Sequence, residues 1–214
     1  MYPYYHMRIT SEAVSSRFGR AAFRQVLYGN IGQDGLAGQI GHPEYHFDDS
    51  QFARAYKYLG DLKGNIAKHI WWDHDIPAAR HAYGQFTHAL QDFYAHSNYI
   101  SLYVQEHQIQ LEQWDGQIDC LDQTILQSPD LISGHFYSPW EFVTFLPGIG
   151  KLFIPLFPRT SHAHMNIDSP AASRWFPLAY RAAVERTRVE SDQLFAALSA
   201  VNAGRMRDFF GKAE

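Results

Sequence analysis

The sequence predicts an all-α protein: apolar residues recur at helical spacing along most of the chain, strand-type alternation is scarce, and the glycines and prolines fall between the periodic segments. At 214 residues the chain is long enough to bury one sizeable core, and residues 1–214 read as one domain.

The first helix is expected over residues 10–28. Thr10, Ser11, Ser15 and Ser16 offer caps, and Val14, Phe18, Ala21, Ala22 and Val26 form its apolar stripe. A glycine-punctuated loop runs from Gly29 to Pro43. A second helix fits 48–70, with Asp48, Asp49 and Ser50 at its start and Phe52, Ala55, Tyr56, Leu59, Leu62 and Ile66 on one face. Pro77 suits the first turn of a third helix, 77–106, and a fourth helical stretch spans 106–127. Residues 128–176 hold six of the ten prolines and form a long excursion. Periodicity returns in a helix over 177–201, through Leu178, Ala182, Val189, Leu194, Leu198 and Val201.

Composition narrows the function. A net charge of −4 with no lysine- or arginine-rich run gives no footprint for duplex nucleic acid. No stretch approaches the length of a membrane span, and the opening MYPYYHMRIT lacks a charged region followed by an apolar one, so no signal peptide is expected. Twelve histidines stand beside a single cysteine, Cys120. Any metal would therefore be held by nitrogen and oxygen, without a disulfide or a multi-thiolate site.

The ligand types concentrate in residues 88–96, HALQDFYAH. On a helix, residues four apart lie nearly above one another, about 6 Å along the axis. His88, Asp92 and His96 thus form one polar stripe about 12 Å long. A zinc ion with ligands at about 2.0–2.2 Å joins adjacent members and cannot span all three, so the stripe suits two or more ions with Asp92 as bridge. His81 lies near the same stripe. His42, His69, His74, His107 and His135 have no partner at useful spacing, and Asp48 reads as a helix cap.

These residues carry a family resemblance. The central segment, with Ala79, Arg80 and Gly84 ahead of it, resembles the signature of HET-C-type (heterokaryon incompatibility C) proteins, and more distantly the zinc phospholipases C and single-strand nucleases. Residues 6–13 (HMRITSEA), 30–34 (NIGQD), 46–48 (HFD), Ser133-Gly134, Ser161-His162 and 166–169 (NIDS) resemble further elements of that pattern, in the same order. The resemblance implies a helical phospholipase C/nuclease-like fold with two or three Zn2+ ions. One ion would be held by Asp34, His46, His88 and Asp92. A second would take His96, Asp168 and either His162 or His164, and a third His6 with bridging Asp92. The last gap of the stripe is three residues, as in the HET-C pattern, where the phospholipases and nucleases have five.

From that resemblance follows an expected phosphoester hydrolase, phospholipase C-like, in which a zinc-bound hydroxide attacks phosphorus and Asp34 and Asp92 are the catalytic carboxylates. A single-strand nuclease or nucleotidase is the alternative within the same fold. A non-catalytic metal-containing toxin or recognition module is the alternative from another class. The resemblance also implies a secreted or periplasmic protein. The expected partner is a phospholipid or other phosphoester. The apolar run 142–158, with Lys151 in it, either dips into a membrane interface or packs over the core.

Overall fold

The computed structural model describes residues 1–35, 38, 41–146 and 148–212. Four residues of the expected loop, 36, 37, 39 and 40, and Pro147 of the apolar run lie outside the described residues. The class is all-α: among the described residues there is no strand, and only two isolated bridges, Ser97 with Ser133 and His135 with Ser161.

The helices are α1 (Pro3–Val14), α2 (Arg20–Gly32), α3 (Pro43–His46), α4 (Phe52–Trp71), α5 (Ile76–His96), α6 (Tyr99–Glu106), α7 (Gln123–Leu126), α8 (His162–Met165), α9 (Phe176–Val201) and α10 (Ala203–Phe210). Helix α5 is the axis of the fold. Helices α2, α4 and α9 pack directly against it, and α1 packs across α9. Asp75 caps α5 by accepting from the Ala78 amide at 3.0 Å, and Pro77 occupies its first turn. From Phe86 to His96 every residue of α5 is buried, so this helix has no solvent face in its last three turns.

The contact of α2 with α5 is set by two glycines. A Cβ at Gly84 would lie 2.1 Å from the Val26 carbonyl oxygen, and one at Gly29 would lie 2.2 Å from that of His81. The backbones touch there, which only glycine allows. Aromatic rings close one end of the core: Phe18, Tyr83, Phe195 and Phe209 pack edge-to-face and stacked, joining the α1–α2 link to α5, α9 and α10.

Several boundaries differ from the sequence reading. The helix expected over 10–28 is two helices, divided at Ser15–Gly19, because Gly19 packs against the backbone of Gly211 where no side chain fits. The helix expected over 77–106 breaks at Ser97 and Asn98. There the Asn98 amide and side chain turn to the backbone of the 130–132 segment instead of continuing the ladder. Most of 106–127 is turns around the short α7. Helix α9 follows the expected 177–201, and α10 adds a helix that the sequence reading left out.

Replacing Gly84 by alanine should destabilise the fold by about 1–3 kcal/mol, although alanine favours helix by about 1 kcal/mol over glycine. Urea denaturation of Gly84→Ala checks this. A variant more stable than wild type would mean that the α2–α5 contact is looser than the structure places it.

Candidate metal centre

Asp92 lies at the middle of the buried half of α5, with no side-chain exposure. Its two oxygens face different partners. Oδ2 is 2.8 Å from His46 Nδ1 and 2.8 Å from His88 Nε2, and those two ring nitrogens are 3.2 Å from each other. Oδ1 is 3.1 Å from His6 Nε2, 2.6 Å from the main-chain nitrogen of Met1 and 3.7 Å from His96 Nε2. His88 Nε2 also faces Asp34 Oδ1 at 3.6 Å. His6, Asp34, His88 and Asp92 form one group whose ligand atoms lie within 4.8 Å of one another.

A second group joins Asp48, His96 and His162. Asp48 Oδ1 is 3.3 Å from His96 Nδ1 and 3.2 Å from His162 Nδ1, and the other ring nitrogen of His96 is 3.3 Å from Asp168 Oδ1. His96 thus stands between the groups. His164 is exposed and lines a cavity of about 210 Å³ beside Asp168, together with Tyr2, Lys151 and Asn166.

The short segment 46–50 delivers ligand-type residues to both groups. Phe47 adopts a left-handed backbone (φ 57°), uncommon for a bulky residue, and its buried ring packs edge-on against Phe93. That kink sends His46 to Asp92 and Asp48 to His96 and His162. The segment is held by the stretch 133–136: Ser50 and Ser133 exchange side-chain and main-chain hydrogen bonds, and the Phe136 amide donates to Asp49. The same stretch bonds His96 through the Gly134 amide and His162 through the His135 carbonyl. One extended piece of chain therefore fixes three segments that carry candidate ligands. Asp48 opens no helix. The first residues of α4 have no side-chain cap, and Asp48 belongs to the second group, which corrects its reading as a cap.

A buried network orients the other side. His6 Nδ1 is 2.7 Å from Gln91 Oε1, and the Gln91 amide donates to Thr10 Oγ1 at 2.8 Å. Asn30 donates to Thr87 Oγ1 at 3.0 Å. The ring of His6 stacks on that of His88 at 4.1 Å.

Protonation follows from this packing. Burial, with His6 nearby, pushes His88 down to about 4, so its imidazole is neutral. Burial raises the Asp92 carboxyl, but the Met1 amino group and His96, His88 and His6 outweigh it and hold it well below the usual range. For His96 burial works downward, and Asp92 and Asp48 overcome it and raise it well above the ordinary value. Asp48, buried, is held low by His96 and His162. Among the described residues no lysine or arginine pairs with Asp48, Asp92 or Asp168.

The donor set fits a divalent ion. Ligand atoms about 2.0–2.2 Å from a tetrahedral zinc lie roughly 3.3 Å from each other. His88 Nε2 lies 2.8 Å from Asp92, 3.2 Å from His46 and 3.6 Å from Asp34, and His46 lies 2.8 Å from Asp92. His6 Nε2 lies 3.1 Å from Asp92 Oδ1, a spacing that two ligands of one ion can share. Imidazole and carboxylate together suit zinc. The histidines set aside from the sequence lie outside both groups: His69 pairs with Asp73, His107 with Asp122 and His135 with Asp49.

Fold and site together define an all-helical domain built around a buried histidine–aspartate centre. A family model, the VWA7 N-terminal domain, matches residues 4–126, and the chain belongs to that family. Von Willebrand factor A domain-containing protein 7 of Homo sapiens is 37% identical over 89 residues, 41% of this chain and 10% of that protein. The Rattus norvegicus protein of the same name is 36% identical over the same length and shares. The match thus spans about a tenth of the length of these curated relatives. No solved structure matches.

This membership overturns the resemblance to HET-C-type proteins, zinc phospholipases C and single-strand nucleases. The reading of the chain as a zinc-dependent phosphodiesterase, phospholipase C-like or nucleolytic, falls with it. That reading came from short elements in a shared order, and buried histidines and aspartates at helical spacing serve more than one family. The all-α class stands on the helices themselves.

Gln91→Met keeps the volume but leaves His6 Nδ1 without its buried partner and Thr10 Oγ1 with only the longer bond from Asn30. Stability should fall by about 1–3 kcal/mol in urea denaturation. An unchanged midpoint would mean that the network contributes nothing to the fold.

Proposed function

We propose that this domain holds divalent metal ions, with zinc the best suited, and that the centre is structural: it locks together the segments that meet at α5. The observation that carries this is the convergence of His46 Nδ1, His88 Nε2 and Asp92 Oδ2 within 3.2 Å of one another in a buried site. At that spacing one cation meets both ring nitrogens and the carboxylate oxygen together, and imidazole and carboxylate are the donors that suit it.

Asp34, His46, His88 and Asp92 hold the first ion, with His6 reaching the other oxygen of Asp92. Asp48, His96 and His162 hold the second, with Asp168 beside His96. Each bound ion supplies positive charge to a cluster of buried carboxylates, and so offsets the cost of keeping them from water. The segments tied this way are distant in sequence: α1, the end of α2, α3 with the 46–50 kink, α5 and the 161–168 stretch. A centre of this kind would fix those segments relative to one another.

Metal analysis of protein purified without chelator should find about two zinc ions per chain. Chelation should lower the thermal midpoint by on the order of 5–10 °C, the shift expected when a ligand present well above its dissociation constant is removed from a chain of this size. Asp92→Asn should lose metal from the first group. Protein that carries no metal and is not stabilised by added zinc would end the proposal.

A further inference from the structure

We propose that the turns over residues 140–156 form a docking surface for a lipid bilayer carrying anionic headgroups. Five of the twelve exposed large apolar residues among those described belong to this one stretch: Trp140, Leu146, Ile149, Leu152 and Leu156. Trp140, Leu152 and Leu156 are each about three-quarters exposed (74, 75 and 76%). Other apolar residues of the same stretch point inward. Phe142, Val143, Phe153 and Ile154 are half-buried, and Phe142 packs edge-on against Phe136. The stretch is thus anchored on one side and apolar on the other, so both readings of the 142–158 run apply to different residues of it.

Its backbone suits a medium of low polarity. Three short 3-10 turns run through 140–145, 150–152 and 154–156. Within them the amides of Gly150, Leu152, Phe153 and Leu156 donate to the carbonyls of Leu146, Ile149, Gly150 and Phe153. Main-chain groups bonded internally in this way can enter the headgroup–acyl boundary without losing partners. Trp140 is the residue type that favours that boundary.

Charge selects the occupant. The chain as a whole is negative, at −4, but this surface is not. Its only acid, Glu141, is fully buried, where its carboxylate accepts from the amides of Tyr137 and Ala163. The exposed charges on residues 140–160 are Lys151 and Arg159, and neither pairs with a carboxylate among the described residues. Apolar side chains flanked by unpaired cations match an anionic lipid surface, where the stems insert and the charges meet phosphate or carboxylate. A second copy of the chain would bring the same cations against each other across a two-fold contact.

Flotation with phosphatidylcholine vesicles, with and without phosphatidylserine, tests this. Wild type should float with the serine-containing vesicles and lose binding as salt is raised. Leu152→Asp with Leu156→Asp should weaken binding about tenfold or more, since both insertions are lost. Lys151→Glu with Arg159→Glu should abolish the preference for phosphatidylserine. Both pairs lie at exposed positions, so unchanged circular dichroism and melting confirm that the variants fold. Wild type that ignores the vesicles overturns the proposal, as does equal binding by the leucine variant. A wild-type dimer, made monomeric by the leucine change and without vesicle binding, would assign the surface to self-contact instead.

Discussion

A carboxylate with no access to water sits in the middle of a helix, and much of this structure is arranged around it. Burying an ionised Asp92 costs on the order of several kcal/mol unless its oxygens are matched. The match comes from far apart in the chain: His6 from α1, His46 from the kink after α3, and His88 one turn away on α5 itself. Those contacts require α1 and α3 to lie close to α5. The Gly29–Gly84 contact brings α2, which carries Asn30 and leads to Asp34, to the same place. Electrostatics and close packing therefore demand the same geometry.

The two histidine–aspartate groups differ in how they are built. The first depends on helices, with residues placed by i, i+4 spacing on α5 and by helix contacts. The second depends on irregular chain, where Asp48 and His162 are presented by turns that the 133–136 stretch ties down. The family match over residues 4–126 covers all of the first group and, of the second, Asp48 and His96; His162 and Asp168 lie beyond it. The centre and the apolar turns also meet. Lys151 of those turns and His164 and Asp168 of the ligand segment line one cavity, so the proposed lipid-facing surface and the proposed metal centre share a wall.

Family membership was not legible in the motifs. The elements HALQDFYAH, HFD and NIGQD are short, and their chemistry, imidazole and carboxylate in register, is what any buried nitrogen–oxygen centre on a helix uses. They pointed to a hydrolase family, and the longer match corrected that assignment. A site's chemistry constrains what it can bind more tightly than it identifies a lineage.

The sequence by itself determined the helical class, the long α4, α5 and α9, and the stripe His88, Asp92 and His96, because these depend on periodicity within one element. Tertiary structure alone decided the rest. It split the first helix at Ser15–Gly19, where the chain meets Gly211, and ended α5 at His96, where Asn98 turns to the 130–132 segment. It took Asp48 from a cap to a buried histidine–aspartate cluster and put His162 inside that cluster with His164 outside. Each of those outcomes depends on atoms far apart in sequence, and local propensity carries no record of which distant backbone or carboxylate a residue will meet.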